Sequence, residues 1–194
     1  AASDVYKRQV QQNDVAIEER SLRAIARASE GSMRDGLSLL DQAVAFGGKT
    51  IIEQDVEDML GTVPEELVRR VVETIVKQDP VAAVELVGQV SDQGFDLQVY
   101  CGAVVERMRH LMIASVVTSS GQAEGLIDLP NEEIRQLIKE AKTFSVEQLQ
   151  NLFNLFAQTE DRLRSAAQHR FTFEVAMVRA TRMFQENCAA TAGR

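Results

Sequence analysis

Side chains able to do chemistry are few in this chain, and their spacing completes none of the common catalytic constellations. His110 and His169 stand apart, without the His-Glu-x-x-His spacing of a zinc helix and without a cysteine nearby in sequence, and neither is assigned a role. Cys101 and Cys188 form no Cys-x-x-Cys pair, which leaves no readable disulfide framework or zinc motif and fits a reducing cytoplasm. The acidic pairs Glu18-Glu19, Glu65-Glu66 and Glu132-Glu133 fall at helix starts. Adjacent helical positions diverge by about 100° and the dipole of a first turn favours negative charge, so these pairs read as solvated turns rather than as acid and base. Phosphate-loop, dinucleotide-binding and nucleophile-elbow glycine patterns are absent. The segment that remains is Gly31 to Gln42. Ser32 stands three residues before Asp35, close to a capping box, and this places Arg34 in the first turn of a helix. Unpaired amides and the positive dipole end favour an anion there, and a guanidinium adds a planar fork suited to phosphate oxygens. Ser32 and Met33 share that terminus and are the accompanying candidates. Local sequence alone favours an Arg34 that pairs with Glu30 or Asp35 on the surface. Asp35 is a capping residue on either reading, while Ser38, Asp41 and Gln42 are expected to fix helix packing.

The elements that must position Arg34 can be read from apolar period and caps. A first helix is expected over Glu18–Glu30, stopping at Gly31, and a second over Met33–Phe46, stopping at Gly47-Gly48. Ile51, Val56, Met59 and Leu60 mark a short third helix that ends at Gly61. Thr62-Val63-Pro64-Glu65-Glu66 then gives the clearest boundary, with Pro64 expected at N1 of the next helix. Beyond it, helices are expected over Glu65–Lys77, Val81–Ser91 with Asp79 as cap and Pro80 at N1, and Leu97–Thr118. A loop over Ser119–Leu129 separates these from Glu132–Lys142, Val146–Ala167 with a Ser145/Gln148 capping box, and Thr172–Asn187. Phe153, Phe156, Phe173, Met177 and Phe184 are expected to be mostly core. No strand pattern and no internal repeat is found. The fold class is therefore all-α, a three-helix unit followed by a six-helix bundle. The domain expectation is residues 1–15 unstructured or artefactual, 16–61 the small unit, 62–188 the bundle and 189–194 a disordered tail. Ser3 to Gln9, without hydrophobic period, reads as a translated sequencing-adapter scar.

Composition narrows the partners. With 21 Lys and Arg against 29 Asp and Glu, the formal net charge is -8, whereas a chain that grips nucleic acid with its own surface is usually basic. The absence of Trp and the 5% aromatic share favour helices over strands. No apolar run approaches the roughly 20 residues of a membrane helix and the start lacks a signal-peptide core, so a soluble, cytoplasmic protein without a membrane partner is expected.

Ala24-Ile25-Ala26 through Gln42, followed by Met59-Leu60-Gly61-Thr62, resembles the lid of the bacterial clamp-loader ATPases of the DNA polymerase III gamma/tau family. The family pattern is close to A-x-G-S-x-R-D-A-L-S-L-L-D-Q and then M-L-G, with Gly36 here in place of the usual Ala. Leu163-Arg164 and Arg170 through Glu174 resemble that family's C-terminal collar more faintly, with Gln168-His169 where the family has a Pro-containing turn. The resemblance implies an AAA+ lid followed by a collar that assembles a pentameric ring. It implies that Arg34 is the sensor-2 arginine on the γ-phosphate of ATP, reversing the surface reading, with ATP and Mg held by a preceding nucleotide domain and none bound by this fragment alone. The parent would be an ATPase within the polymerase III holoenzyme, and the fragment alone inactive. Its partners would be other clamp-loader subunits through the collar, and the sliding clamp and primed DNA through missing domains. A non-enzymatic helical adaptor, or an ATPase-inactive clamp-loader paralogue, is the alternative.

Overall fold

The computed structural model describes residues 16–29, 32–48, 50–117, 125–127 and 129–191, and for 27, 53, 57 and 184–191 the backbone alone. The expectations for residues 1–15, including Ser3 to Gln9, for Glu30 and Gly31, for most of the Ser119–Leu129 loop and for 192–194 lie outside the described residues, as does the side chain of Phe184. The described residues form nine α-helices and one two-stranded sheet, and the chain packs as two compact units, Ala1–Pro64 and Glu65–Arg194. None of these helices is long and apolar enough to cross a membrane.

In the first unit the order is β1 (Ala16–Ile17), α1 (Glu19–Ala28), α2 (Met33–Gly47), β2 (Thr50–Ile51) and α3 (Glu53–Leu60). Amphipathic spacing brings Leu22 and Ile25 of α1 against Leu40 and Ala43 of α2, Ile51 of β2 and Val56 of α3 in one buried cluster. The sheet corrects the expectation of no strands. β1 and β2 are parallel, with Ala16 opposite Thr50 and Ile17 opposite Ile51, and the Glu18 amide donates to the Ile51 carbonyl at 3.1 Å. Two residues per strand are too few to show a period of two in sequence, and the parallel pairing is closed by α1 and α2 as crossover. Gly47 fits where these elements crowd. A Cβ there would lie 3.0 Å from Asp55 Oδ2, the atom that accepts the Ile52 amide at 3.1 Å and starts α3.

The second unit runs α4 (Glu65–Val76), α5 (Pro80–Asp92), α6 (Leu97–Val116), α7 (Asn131–Ala141), α8 (Val146–Leu163) and α9 (His169–Thr191). α6 packs on α8 and α7, while α9 lies against α5, α8 and α4. Tyr100, Phe156 and Phe173 meet at the centre, with Tyr100 and Phe173 edge to face at 5.4 Å and Phe156 and Phe173 at 6.3 Å. Phe156, Phe173 and Met177 are buried as expected, but Phe153 is only half-buried.

The boundaries follow from local chemistry. Pro80 holds Asp79 extended, so α4 cannot run on, and Gln78 closes it at φ 55 with the Asp79 amide donating to the Thr74 carbonyl. Asp79 Oδ1 then accepts the Val81 and Ala82 amides, both at 3.0 Å. Gly94 closes α5 at φ 85 in the same manner. Pro64 stands just before Glu65 rather than inside α4. α8 stops at Leu163, four residues short of the expected Ala167. Its last turn tightens as the Ser165 amide donates to the Arg162 carbonyl, and α9 begins at His169 rather than Thr172, with the Thr172 amide and hydroxyl both donating to the Gln168 carbonyl. α9 also continues to Thr191, into the segment expected as a disordered tail.

Candidate functional site

The candidate site is built on the corner between α1 and α2. Ser29 is buried, its hydroxyl donates to the Ala26 carbonyl at 2.7 Å, and its carbonyl accepts the Ser32 amide at 2.8 Å. This fixes the entry to α2. Ser32 is extended at φ -80 and ψ 111 and accepts the Asp35 amide on Oγ at 3.3 Å, so it is the N-cap. Gly36 is buried beneath the first turn, which turns Met33, Arg34 and Asp35 outward, and all three are exposed. Among the described residues no carboxylate lies within ion-pair distance of Arg34, and none accepts the Met33 or Arg34 amide. Asp35 neighbours Arg34 in sequence but does not pair with it. A permanently charged fork and two outward amides therefore share one helix end, an arrangement suited to phosphate oxygens.

The expectation that Ser38, Asp41 and Gln42 fix helix packing is corrected. All three are exposed, and Gln42 donates only to the Ser38 carbonyl, at 3.2 Å. Spacings of four and seven from Arg34 place Ser38 and Asp41 on its own outward face.

The bundle holds polar chemistry of a structural kind. Arg107 of α6, 9% exposed, pairs with Glu140 of α7 and lies 3.4 Å from Glu65 at the start of α4. Glu65 thus serves a buried guanidinium instead of being a purely solvated first turn, whereas Glu66 stays on the surface with Arg69 at 2.7 Å. His110 is buried beside Glu106, at 3.8 Å. Tyr100 donates its hydroxyl to the Leu67 carbonyl at 2.9 Å, and burial pushes its ionisation up. Cys101 points its thiol at the Phe156 carbonyl, and burial, aided by the charge of Glu160, pushes the thiol up to about 12. A thiol held so firmly protonated is a packing group, not a nucleophile. No cluster of three or more metal-ligating side chains occurs among the described residues.

The comparisons with known proteins meet this architecture at both units. Residues 6–49 match the family model "DNA polymerase III clamp loader subunit, ATPase lid domain", and residues 51–190 match "DNA polymerase III subunits gamma and tau domain III". α3 therefore lies in the stretch matched by domain III while packing on α1 and α2. Similar curated proteins include the DNA polymerase III subunit tau of Escherichia coli, 30% identical over 86% of this chain and 25% of that protein. The tau subunit of Bacillus subtilis is 25% identical over 93% of this chain and 31% of that one. The chain thus spans about a quarter to a third of the length of these relatives. Among solved structures, the Bacillus subtilis DNA clamp loader delta protein superposes with a TM-score of 0.54 at 13% identity, over 93% of this chain and 56% of that one, a likeness of fold alone. With most of its length matched by the domain III model and the lid model before it, the all-α chain belongs to the family of DNA polymerase III gamma and tau clamp-loader subunits.

Proposed function

We propose that the chain is the nucleotide-sensing lid and the assembly bundle of a clamp-loader motor subunit, with Arg34 as the residue that touches the γ-phosphate of ATP held by a separate nucleotide domain. The observation that carries this reading is the exposure of Arg34 in the first turn of a capped helix, with no ion-pair partner among the described residues. ATP with its magnesium supplies a dense negative charge at the γ-phosphate. Arg34 meets that charge with a bidentate fork, the Met33 amide adds a donor, and Ser32 serves through the turn it caps. A lid that gains these contacts only while the phosphate is present favours different arrangements in the two nucleotide states, which is a population shift driven by differential contact.

The bundle from Glu65 onward assembles with other loader subunits into a pentameric ring in the cytoplasm, and other domains engage the sliding clamp and primed DNA. The net charge of -8 supports that division, because affinity for a phosphate backbone comes from Lys and Arg. Hydrolysis belongs to the nucleotide domain, and the 194-residue chain alone leaves ATP intact.

The test uses the full-length parent carrying Arg34→Ala. ATP-dependent binding to the sliding clamp falls by about tenfold, the order of one charge-assisted hydrogen bond, and Arg34→Lys restores only part of it. Binding that is unaltered in Arg34→Ala would replace this reading with that of a helical adaptor.

A further inference from the structure

We infer that Ser29 is a positioning residue for Arg34, holding the turn from which the guanidinium reaches the γ-phosphate. The inference rests on the proposed role of Arg34 and names the buried group that aims it. Ser29 is 3% exposed, and a hydroxyl so buried is costly unless it is bonded. All three of its polar atoms are bonded. Its amide donates to the Ile25 carbonyl at 3.0 Å and its hydroxyl to the Ala26 carbonyl at 2.7 Å, two of the last four carbonyls of α1, which have no partner within that helix. Its carbonyl accepts the Ser32 amide at 2.8 Å.

The bonds run on in steps of three. Ser29 is tied to Ala26 and Ser32 to Ser29, the Asp35 amide donates to Ser32 Oγ at 3.3 Å, and the Gly36 amide donates to the Ser32 carbonyl at 3.0 Å. At its inner end this relay joins Ile25, which is fully buried in the core of the first unit, and at its outer end it holds the turn that carries Arg34. Arg34 adds nothing to its own anchorage, because its side chain is exposed and makes no ion pair among the described residues. Gly36 in the same turn has the widest backbone freedom of any residue. The direction of the guanidinium is therefore set by the corner, and the Ser29 hydroxyl is the corner's buried anchor. Without it the fork must be ordered each time it meets the γ-phosphate, a cost that falls on ATP and not on ADP.

The full-length parent carrying Ser29→Ala tests it, by equilibrium binding of ADP and of the slowly hydrolysed thiophosphate analogue ATPγS. Affinity for ATPγS falls by about threefold to tenfold, and affinity for ADP is unchanged. In the Arg34→Ala background the same substitution alters neither. In the 194-residue chain, hydrogen exchange of the Ser32 and Asp35 amides quickens at unchanged helical circular dichroism. Ser29→Cys fills nearly the same space with a weak donor and gives the same result, and it decides the matter where Ser29→Ala lowers the circular dichroism. An equal loss for both nucleotides, or a loss that persists without Arg34, overturns the inference and leaves Ser29 a purely structural residue. Unaltered ATPγS affinity in Ser29→Ala, where Arg34→Ala weakens it, overturns the inference and leaves the role of Arg34 standing. Unaltered ATPγS affinity in Arg34→Ala itself overturns that role, and the inference with it.

Discussion

Gln78 sits in the left-handed region at φ 55, where a side chain costs about 1 kcal/mol or more and glycine does not. The position is forced by Pro80, which extends Asp79 and leaves one residue to close α4. Gln78→Gly is therefore expected to stabilise the bundle by about 1 kcal/mol, read as a higher midpoint in urea, and a lower midpoint would refute the strain. Cys101 gives a prediction with pH. Its thiol ionises near 9.0 in an ordinary setting and near 12 in the fold, so between these values the unfolded chain loses a proton that the native state keeps. The contribution of Cys101 to stability is complete below pH 9 and is lost as pH rises toward 12. Tyr100, whose ionisation is also raised by burial, adds to the alkaline loss at higher pH. Cys101→Ala is expected to lower stability by a constant amount at neutral pH and to fall less than wild type between pH 8 and 10. Parallel declines in the two proteins would show that the buried thiol is not the source.

At the scale of elements, local chemistry decides where helices begin. Ser145 Oγ accepts the Gln148 amide at 3.1 Å while Gln148 Oε1 accepts the Ser145 amide at 2.8 Å, a complete capping box at the start of α8. Ser145→Ala is expected to cost the bundle about 1 kcal/mol in denaturant unfolding, and Ser145→Thr to recover most of it. No loss in the alanine variant would mean that tertiary packing alone sets the start of α8. Such signals span three or four residues, which is why the caps at Ser32, Asp79 and Ser145 and the starts of α2, α6 and α8 were legible in the sequence. The outward placement of Arg34 followed from the same local signal. Features made by distant residues were not legible. Arg107 meets Glu65 and Glu140 across separations of 42 and 33 residues, and nothing around any of the three marks the others. β1 and β2 pair over a gap filled by two helices, and each is too short to show a period. The outward turn of Ser38, Asp41 and Gln42 depends on which side of α2 meets α1 and α3, whereas the polar residues alone were compatible with packing. The overrun of α8 has a similar cause, because Arg164 through Ala167 are good helix formers and the chain turns there to bring α9 back over α5 and α4.

Across the whole molecule, the division at Pro64 separates a small unit from a larger one. Among the described residues, the first has a buried cluster of six, whereas the second buries the aromatic centre together with the apolar faces of six helices. Below about 70 to 80 residues a single core rarely supplies more than about 3–5 kcal/mol, so the first unit is expected to melt before the second. Calorimetry of the 194-residue chain should then show two transitions. Ile25→Ala, which removes a fully buried side chain from the small core at a cost of about 2–5 kcal/mol, abolishes the lower one and leaves the upper in place. Phe156→Ala, at about 3–5 kcal/mol, lowers the upper one and leaves the lower in place. A single cooperative transition, or equal shifts of both by Ile25→Ala, would refute independent folding. The distinction bears on function because the two proposed tasks fall on opposite sides of Pro64. If the units fold separately, Ile25→Ala at a temperature between the transitions removes the helix that presents Arg34 while the bundle still binds other loader subunits with wild-type affinity. Loss of that binding in Ile25→Ala would instead show that assembly draws on the first unit.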